Sequence, residues 1–149
     1  MSNKKSTNLF FRFDASVLPY FTIFFIGIYS FRFPSLIISV IDVMLLSWLS
    51  AFLLKIIFHK LRPHHKKAQA PFREESRFSF PSEHSAIFSA LGVFSCVINP
   101  ILGAVLIFVA ILIGASRAII GVHFWRDIIA GWALGAIIAL LFIFWLHFL

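Results

Sequence analysis

Four long apolar runs constrain the fold of this chain more than any other feature. Three of them, residues 15–31, 85–116 and 128–146, contain no charged side chain. The fourth, residues 35–54, is interrupted only by Asp42. A helix needs about 20 apolar residues to cross the hydrocarbon core of a bilayer. The runs therefore predict helices that span a membrane.

The run at 85–116 has 32 residues, which is too many for one crossing. Asn99-Pro100 divides it, because proline interrupts a helix and Asn-Pro favours a turn. Counting two helices here, the sequence predicts an all-α fold, an integral membrane helical bundle of about five transmembrane helices.

The composition agrees with a single membrane-embedded domain over residues 1–149. Only 13% of the residues are charged and 60% are hydrophobic, whereas soluble domains have about 25% charged residues. We expect a polar N-terminal segment at 1–14 and a polar loop at 59–80 that carries part of the site. The lone Cys96 lies within an apolar run, which excludes an intrachain disulfide and indicates a packing role.

The formal net charge of +7 indicates the kind of partner to expect. The cations lie between the apolar runs, where they can face lipid headgroups or an anionic substrate. We therefore expect the membrane and an anionic substrate as partners, and no nucleic acid. With five crossings, the end of the second helix, the start of the third, the end of the fourth and the start of the fifth all lie on one side of the membrane.

The first polar segment at this side contains Lys55, Arg62 and Pro63. Lys55 and Arg62 are seven residues apart, so both project from one face if the helix continues to about Arg62. Pro63 disfavours helical geometry at Arg62 and predicts the helix end there. A guanidinium and an ammonium can both hold phosphate oxygens, and Arg117 offers a third cation. The alternative is that these are boundary cations that snorkel to the interface.

The second segment, Pro81-Ser82-Glu83-His84, has the features of a helix start. Serine is a favoured N-cap, and proline is favoured in the first turn. The free N–H groups of such a start can bind an anion, and His84 beside it could act as a general acid. The alternative is an ordinary cap with a histidine at the membrane boundary.

The third segment contains His123 and Asp127, four residues apart at the predicted start of the last helix. This spacing places the two side chains on one face. A carboxylate bonded to one imidazole nitrogen fixes the tautomer and leaves the other nitrogen with a free lone pair, which can attack phosphorus. The alternative is that Asp127 only favours the positive end of the helix dipole.

Together the three segments resemble the type 2 phosphatidic acid phosphatase family. Its pattern is Lys-x6-Arg-Pro, Pro-Ser-Gly-His and Ser-Arg-x5-His-x3-Asp, and the order and internal spacings agree from about Lys55 to the C-terminus. The matching positions are Lys55, Arg62, Pro63, Pro81, Ser82, His84, Ser116, Arg117, His123 and Asp127.

The resemblance implies an all-helical membrane bundle and a phosphohistidine mechanism that needs no metal and no other cofactor. His123 is implied as the nucleophile, Asp127 as the residue that orients it, and His84 as the acid that protonates the leaving oxygen. The implied phosphate-binding residues are Lys55, Arg62, Ser82 and Arg117.

Glu83 departs from the family pattern, which has glycine there. A carboxylate beside phosphate is repulsive unless it points away, pairs with a cation or is protonated. An acidic residue at this position is similar to the branch that acts on polyprenyl diphosphates, so Glu83 predicts selectivity for such a substrate. The resemblance thus implies a bacterial lipid phosphatase that hydrolyses undecaprenyl diphosphate to undecaprenyl phosphate.

Other functions stay open at this point. The same residues could serve a phosphatidic acid or phosphatidylglycerol phosphate phosphatase, or a lipid phosphotransferase with an alcohol as acceptor. A non-catalytic membrane scaffold is a third alternative, against which the intact His84, His123 and Asp127 argue.

The membrane side of the site is indicated differently by charge and by resemblance. Non-motif cations such as Lys4, Lys5 and Lys66 share the motif side, and the positive-inside rule then predicts the cytoplasmic face. Relatives that recycle polyprenyl diphosphates generally work on the outer face of the bacterial cell membrane, which we favour.

Three further features predict structural roles. Asp42 is expected to anchor a hydrogen bond within the membrane. His64 and His65 lie among lysines and indicate a basic loop facing lipid rather than a metal site. Gly131 and Gly135 form a small-xxx-small pattern, which predicts close helix packing within the bundle or between copies in a homo-oligomer.

Overall fold

A computed structural model describes residues 34–63 and 78–147. This part of the chain forms four helices, so the predicted all-α fold is confirmed. The predicted first helix at 15–31, and the loop residues His64 and His65, lie outside the described residues. The helices are α1 (Pro34–Phe58), α2 (Glu83–Ile98), α3 (Pro100–Ile119) and α4 (Trp125–His147).

Three of these helices are long and apolar enough to cross a membrane: Leu36–Phe58 within α1, and the whole of α3 and α4. The shorter α2 is the central element and packs against the other three. Its buried residues Phe88, Leu91 and Phe94 form a core with Ile113 of α3 and Phe142 of α4.

Large hydrophobic side chains lie exposed along the outer surface of the bundle. Ile101 is 77% exposed and Ile57 is 68% exposed, and large hydrophobic side chains on α1, α3 and α4 are exposed in the same way. Apolar area on this scale is unfavourable in water but matches lipid tails. The chain is therefore an integral membrane protein.

Asn99 separates α2 from α3, as the sequence predicts. Its side-chain Oδ1 accepts hydrogen bonds from the N–H groups of Ile101 (2.9 Å) and Leu102 (3.1 Å). Its own N–H donates to the Ser95 carbonyl, so one residue caps both helices. Pro100 follows at the first helical position, where no N–H is required.

The glycines of α4 allow a close approach to α2. A Cβ at Gly131 would lie 2.5 Å from the Ser82 carbonyl oxygen, and one at Gly135 would overlap the Ala86 carbonyl. The small-xxx-small pattern therefore packs two helices of one chain, and it no longer supports contact between copies.

The end of α1 differs from the sequence-based prediction. The helix ends at Phe58 rather than near Arg62, so Lys55 and Arg62 do not share a helical face. His59 has φ 46°, in the left-handed region that stops helices. The next residues are extended, and Leu61 forms an antiparallel bridge with Phe78. This bridge pairs the backbone that follows the helix with a distant segment of the chain.

Candidate active site

The polar residues of the three segments meet at one end of the bundle. Lys55 near the end of α1 pairs with Glu83 at the start of α2, with 3.0 Å between Nζ and Oε2. The N–H of Ser82 donates to the carbonyl of Asp127 in α4 (2.9 Å). Arg117 at the end of α3 accepts a backbone hydrogen bond from the loop before α4. Four helix ends thus converge.

His123 is buried and held at both ring nitrogens. Nδ1 lies 2.9 Å from the Ser79 carbonyl oxygen, which can only accept, so Nδ1 carries the proton. Nε2 then bears the lone pair, which accepts from Nη1 of Arg62 at 3.2 Å. The backbone thereby fixes the neutral tautomer whose Nε2 faces the cations.

The carboxylate of Asp127 has a different set of partners from the one expected. Its Oδ2 is 3.9 Å from Nδ1 of His123, beyond hydrogen-bonding distance, and accepts instead from the N–H of Phe124 (3.2 Å). Oδ1 pairs with Nζ of Lys60. The orienting hydrogen bond to the imidazole is made by Ser79. Because α4 begins at Trp125, His123 precedes the helix, and its ring lies beside the Asp127 carboxylate without a hydrogen bond to it.

Three buried cations surround the imidazoles. The exposed fractions of Lys55, Arg62 and Arg117 are 3%, 4% and 8%. Burial of a cation is costly unless an anion lies close by. Glu83 supplies one anion for Lys55, and an incoming phosphate can supply charge for all three. Three cations brought this close together favour an anionic ligand.

The electrostatics also show that the two histidines share this environment. Burial, followed by the charges of Arg62, Arg117 and Lys55 and by His84, lowers the pKa of His123 well below 6.5. The same three cations act on His84. His84 therefore belongs to the same pocket, and His123 is neutral at neutral pH, as a nucleophile must be.

Ser82 caps α2 as predicted. Its Oγ accepts from the N–H of Ser85 (3.4 Å) and from the Ser85 hydroxyl (3.0 Å). The start of α2, with its helix dipole, therefore points toward the cations. Backbone N–H groups at such a start are suited to binding phosphate oxygens.

Two residues of the site were missed by the sequence analysis. Ser79 acts through its carbonyl, which every residue type provides, so no sequence pattern can indicate it. Lys60 lies inside the Lys-x6-Arg-Pro interval, where its charge was visible but its partner was not. The antiparallel bridge between Leu61 and Phe78 brings both residues to the site.

Asp42 lies away from this site. It lines a largely apolar groove of about 590 Å³ between α1 and α4, together with Leu45 and Trp145. Among residues 36–63 and 78–147 no hydrogen bond to its carboxyl is found, so the expected anchor role has no partner there.

Comparison with known proteins gives the family. The family model of the PAP2 superfamily matches residues 36–149. The lipid A 1-phosphatase of Rhizobium johnstonii is 38% identical over 101 residues, which cover 64% of this chain and 41% of that protein. Phosphatidylglycerophosphatase B of Bacillus subtilis is 34% identical over 80 residues, covering 46% and 39%. BcrC, the bacitracin transport permease protein of Bacillus licheniformis, is 37% identical over 67 residues, covering 45% and 32%.

The matched part is therefore less than half the length of these curated relatives. The crystal structure of a transmembrane PAP2-type phosphatidylglycerolphosphate phosphatase from Bacillus subtilis shares the fold, with a TM-score of 0.55 and 23% identity. It covers 99% of this chain and 88% of the other. Since the family model covers most of the chain, the chain belongs to the PAP2 superfamily.

Proposed function

We propose that this protein is a lipid phosphatase that hydrolyses a lipid phosphate or diphosphate through a phosphohistidine on Nε2 of His123. The observation that carries the proposal is the pair of contacts on this ring. Because Ser79 holds the proton on Nδ1, the nucleophilic lone pair is on Nε2, among three buried cations. This is the arrangement that attack on an anionic phosphorus requires.

The first chemical step forms the bond between Nε2 and phosphorus and breaks the bond from phosphorus to the leaving oxygen. Arg62 exchanges its hydrogen bond with Nε2 for one with a phosphate oxygen, which frees the lone pair. The negative charge of the bound phosphate beside His84 favours the protonated form of this ring, which donates its proton to the leaving oxygen. Lys55, Arg117 and the start of α2 stabilise the negative charge of the equatorial oxygens.

The second step returns the enzyme to its starting state. A water molecule attacks the phosphorus of the phosphohistidine, and His84 accepts its proton. The bond between phosphorus and Nε2 breaks, and inorganic phosphate is released. His123 regains the neutral form with its proton on Nδ1, held by Ser79.

The substrate we propose is undecaprenyl diphosphate, which would give undecaprenyl phosphate. The support comes from Glu83, the residue that resembles the branch acting on polyprenyl diphosphates. Its carboxylate is paired with Lys55, so it can remain beside the site without repelling the phosphate directly. The second phosphate of a diphosphate gives the ligand additional charge with which to engage Arg62 and Arg117.

Phosphatidylglycerol phosphate and phosphatidic acid are the second candidates. The specific observation in their favour is that a relative with 34% identity is called phosphatidylglycerophosphatase B. The lipid A 1-phosphatase, at 38% identity, indicates that a phosphate on a saccharide lipid should also be tested.

The site is proposed to lie at the outer face of a bacterial cell membrane. The polyprenyl diphosphate hypothesis supports this side, because relatives that recycle this lipid generally work there. The non-motif cations predicted on the site's side, such as Lys4, Lys5 and Lys66, argue for the cytoplasmic face by the positive-inside rule, and phosphate binding accounts only for Lys55, Arg62 and Arg117.

The test is phosphate release by the purified full chain in detergent, with equal concentrations of undecaprenyl diphosphate, phosphatidylglycerol phosphate, phosphatidic acid and lipid A. We expect the highest kcat/KM with the diphosphate, activity that persists in chelator, and inhibition by vanadate. The His123→Ala variant should lose at least 10³-fold, in line with the loss of a covalent nucleophile.

The results of this assay distinguish the proposed substrate and reaction from the alternative ones. A preference for phosphatidylglycerol phosphate would replace the proposed substrate and leave the chemistry in place. Transfer of phosphate to an added alcohol, instead of release, would indicate a phosphotransferase. Turnover that survives His123→Ala, or no turnover of any lipid, would refute the proposed function.

A further inference from the structure

Ser85, in the first turn of α2, contacts a residue of the site although it belongs to none of the three motifs. Its side chain is fully buried, and its hydroxyl donates a hydrogen bond to Oγ of Ser82 over 3.0 Å. Its N–H donates to the same oxygen over 3.4 Å, as in a helix cap. Two donors of one residue are therefore directed at the hydroxyl oxygen of another.

The backbone of Ser82 is also paired. Its N–H donates to the carbonyl of Asp127 (2.9 Å), and its own carbonyl accepts from the N–H of Ala86 (3.0 Å). A hydroxyl group has two lone pairs and one proton, and Ser85 engages both lone pairs. Across residues 34–63 and 78–147, which the structure describes, no acceptor is found for the proton of the Ser82 hydroxyl, although Ser82 is fully buried.

A phosphate oxygen is the acceptor that suits this proton. A buried donor without an acceptor is costly, whereas a hydrogen bond to a charged acceptor is stronger than one to a neutral acceptor. Ser82 begins the helix whose next residues are Glu83, the partner of Lys55, and His84, which lies among the buried cations. The hydroxyl therefore stands at the helix start where the proposed phosphate binds.

The two hydroxyl groups have one alternative arrangement. The Ser82 hydroxyl can rotate and donate to Oγ of Ser85, which gives its proton a neutral acceptor and removes the acceptor of the Ser85 proton. Donation from Ser85 to Ser82, and from Ser82 to a phosphate oxygen, gives both protons an acceptor, and the two bonds strengthen each other. Bound phosphate therefore favours the arrangement in which Ser85 is the donor.

We propose that Ser85 is a positioning residue for phosphate binding: it holds the hydroxyl oxygen of Ser82, so that the Ser82 proton is directed at a phosphate oxygen in the substrate and in the transition state. Ser85 itself does not touch the phosphate. This role rests on the proposed function, because it serves the phosphate site of that reaction.

The experiment is a double-mutant cycle in the full-length protein with Ser82→Ala, Ser85→Ala and the double variant. Two quantities are measured: kcat/KM with the best lipid substrate, and the Kd of inorganic phosphate by calorimetry. Ser85→Ala keeps the Cβ that packs against Gly131 of α4. The matched control is Ser89→Ala, because the buried Ser89, one turn further along α2, donates its hydroxyl to the Trp132 carbonyl (2.8 Å).

For Ser85→Ala we expect phosphate binding and kcat/KM to fall about fivefold, as for the loss of a neutral hydrogen bond. Ser82→Ala should lower both about thirtyfold, because a charge-assisted hydrogen bond is lost. Adding Ser85→Ala to Ser82→Ala should change either quantity less than about 1.5-fold. Ser85→Cys, which supplies a weak S–H donor, should lie between Ser85→Ala and the wild type.

Ser89→Ala should lower the midpoint of unfolding and leave phosphate binding and kcat/KM at their wild-type values. An equal loss of phosphate affinity in Ser89→Ala and Ser85→Ala would overturn the proposal, because the loss would then follow from stability. The proposal also fails if Ser85→Ala has the same effect with and without the Ser82 hydroxyl, since a positioning residue acts through the group that it positions. Unchanged phosphate binding in Ser85→Ala would overturn it as well.

Phosphate binding needs no turnover, so the cycle decides the role of Ser85 even where the wild type hydrolyses no lipid. That second result would refute the proposed function alone. Lipid hydrolysis by the wild type without coupling between Ser82 and Ser85 would refute only the role of Ser85. A wild-type protein that binds no phosphate and hydrolyses no lipid would overturn both.

Discussion

Two neighbours, the Ser79 carbonyl and the Arg62 guanidinium, determine the tautomer and the protonation state of His123. A carbonyl that can only accept fixes the proton on Nδ1, and a guanidinium that can only donate requires a lone pair on Nε2. Protonation of the ring would place a positive charge against Arg62 in a buried environment. Both effects favour the neutral ring.

This environment predicts the pH dependence of the free enzyme. The pKa of His123 is held well below 6.5, chiefly by burial and then by Arg62, so the proposed nucleophile stays neutral at mildly acidic pH. We expect the acid limb of kcat/KM to lie below pH 6.5. An acid limb above that value, assigned to His123 by NMR titration, would contradict this environment.

The lowered pKa of His123 in the folded protein also predicts that stability depends on pH. In the unfolded chain His123 has an ordinary pKa of about 6.5 and binds a proton as pH falls through it, while the folded ring stays neutral. The unfolded state thus binds more protons, and the free energy of unfolding should decrease below about pH 6.5. A His123→Asn variant should lose part of this decrease in the same denaturation series.

Glu83 yields a prediction on selectivity. The carboxylate of Glu83 neutralises the charge of Lys55, so Lys55 attracts a monophosphate less strongly than it would without Glu83. In Glu83→Gln the ratio of kcat/KM for diphosphate over monophosphate lipid should fall about tenfold, corresponding to about 1.4 kcal/mol.

The matched control for Glu83 is Asp42→Asn, an acid-to-amide change 13 residues before Lys55 on α1. That separation is about 20 Å along a helix, so the ratio should stay at its wild-type value. An equal shift in both variants, or none in Glu83→Gln, would remove Glu83 from substrate selection.

The residues of the site differ in how far the sequence could indicate them. His84, Arg117, His123 and Asp127 carry their chemistry in their side chains, so type and spacing were informative. The contact between Asp127 and His123 was expected from a helical spacing that the turn before α4 does not have. The role of Ser79 depends on a backbone carbonyl, which is set by tertiary structure alone.

At the scale of elements, the packing of α4 on α2 positions the site. Asp127 and Ser82 share a backbone hydrogen bond at the ends of these helices, and Gly131 and Gly135 let the helices approach below it. Added atoms at the glycines must push the helix ends apart or displace them along the axis. A change in the distance between α2 and α4 therefore changes the distance between the proposed catalytic residues His84 and His123.

The Gly135→Ala variant tests this packing. A Cβ at this position would overlap the carbonyl of Ala86, and overpacking typically costs about 1–3 kcal/mol. We expect a lower midpoint of unfolding in detergent and a lower kcat. Ala133→Val adds two carbons at an exposed position of the same helix and should change neither. Equal stability of both variants would show that α2 and α4 are not in close contact.

The ends of the helices were predictable where a local sequence signal determines them. Asn99 provides a cap and Pro100 interrupts the helix, so α2 ends and α3 begins there. The sequence predicts the end of α1 about four residues too late, because Pro63 is the local signal for a helix end. The positive φ of His59 and the bridge from Leu61 to Phe78 end the helix earlier, and both depend on contact with a distant segment.

At the scale of the whole molecule, the charged residues of the candidate site are concentrated at one end of the helical bundle. The surface along α1, α3 and α4 is apolar, whereas the buried cations and the two histidines gather where four helix ends meet. The apolar runs predicted this division, because each motif lies at the edge of a run. The predicted helix at 15–31 lies outside the described residues and stays a prediction.

The orientation of this polar end can be measured with single cysteines in a Cys96→Ser background. His59→Cys lies at the polar end, and Pro100→Cys lies at the opposite end, between α2 and α3. For a site at the outer face, a membrane-impermeant maleimide should label His59→Cys in intact cells and leave Pro100→Cys unlabelled until the cells are lysed. The reverse pattern would place the site in the cytoplasm.

Direct detection of the covalent intermediate is the most direct test of the central claim that Nε2 of His123 attacks phosphorus. The purified protein is mixed with substrate, quenched in base during turnover, and mapped by mass spectrometry. We predict a base-stable, acid-labile phosphoryl group on His123 that is absent from His123→Asn. Turnover with no phosphoryl group on His123, or with the group on another residue, would contradict the account.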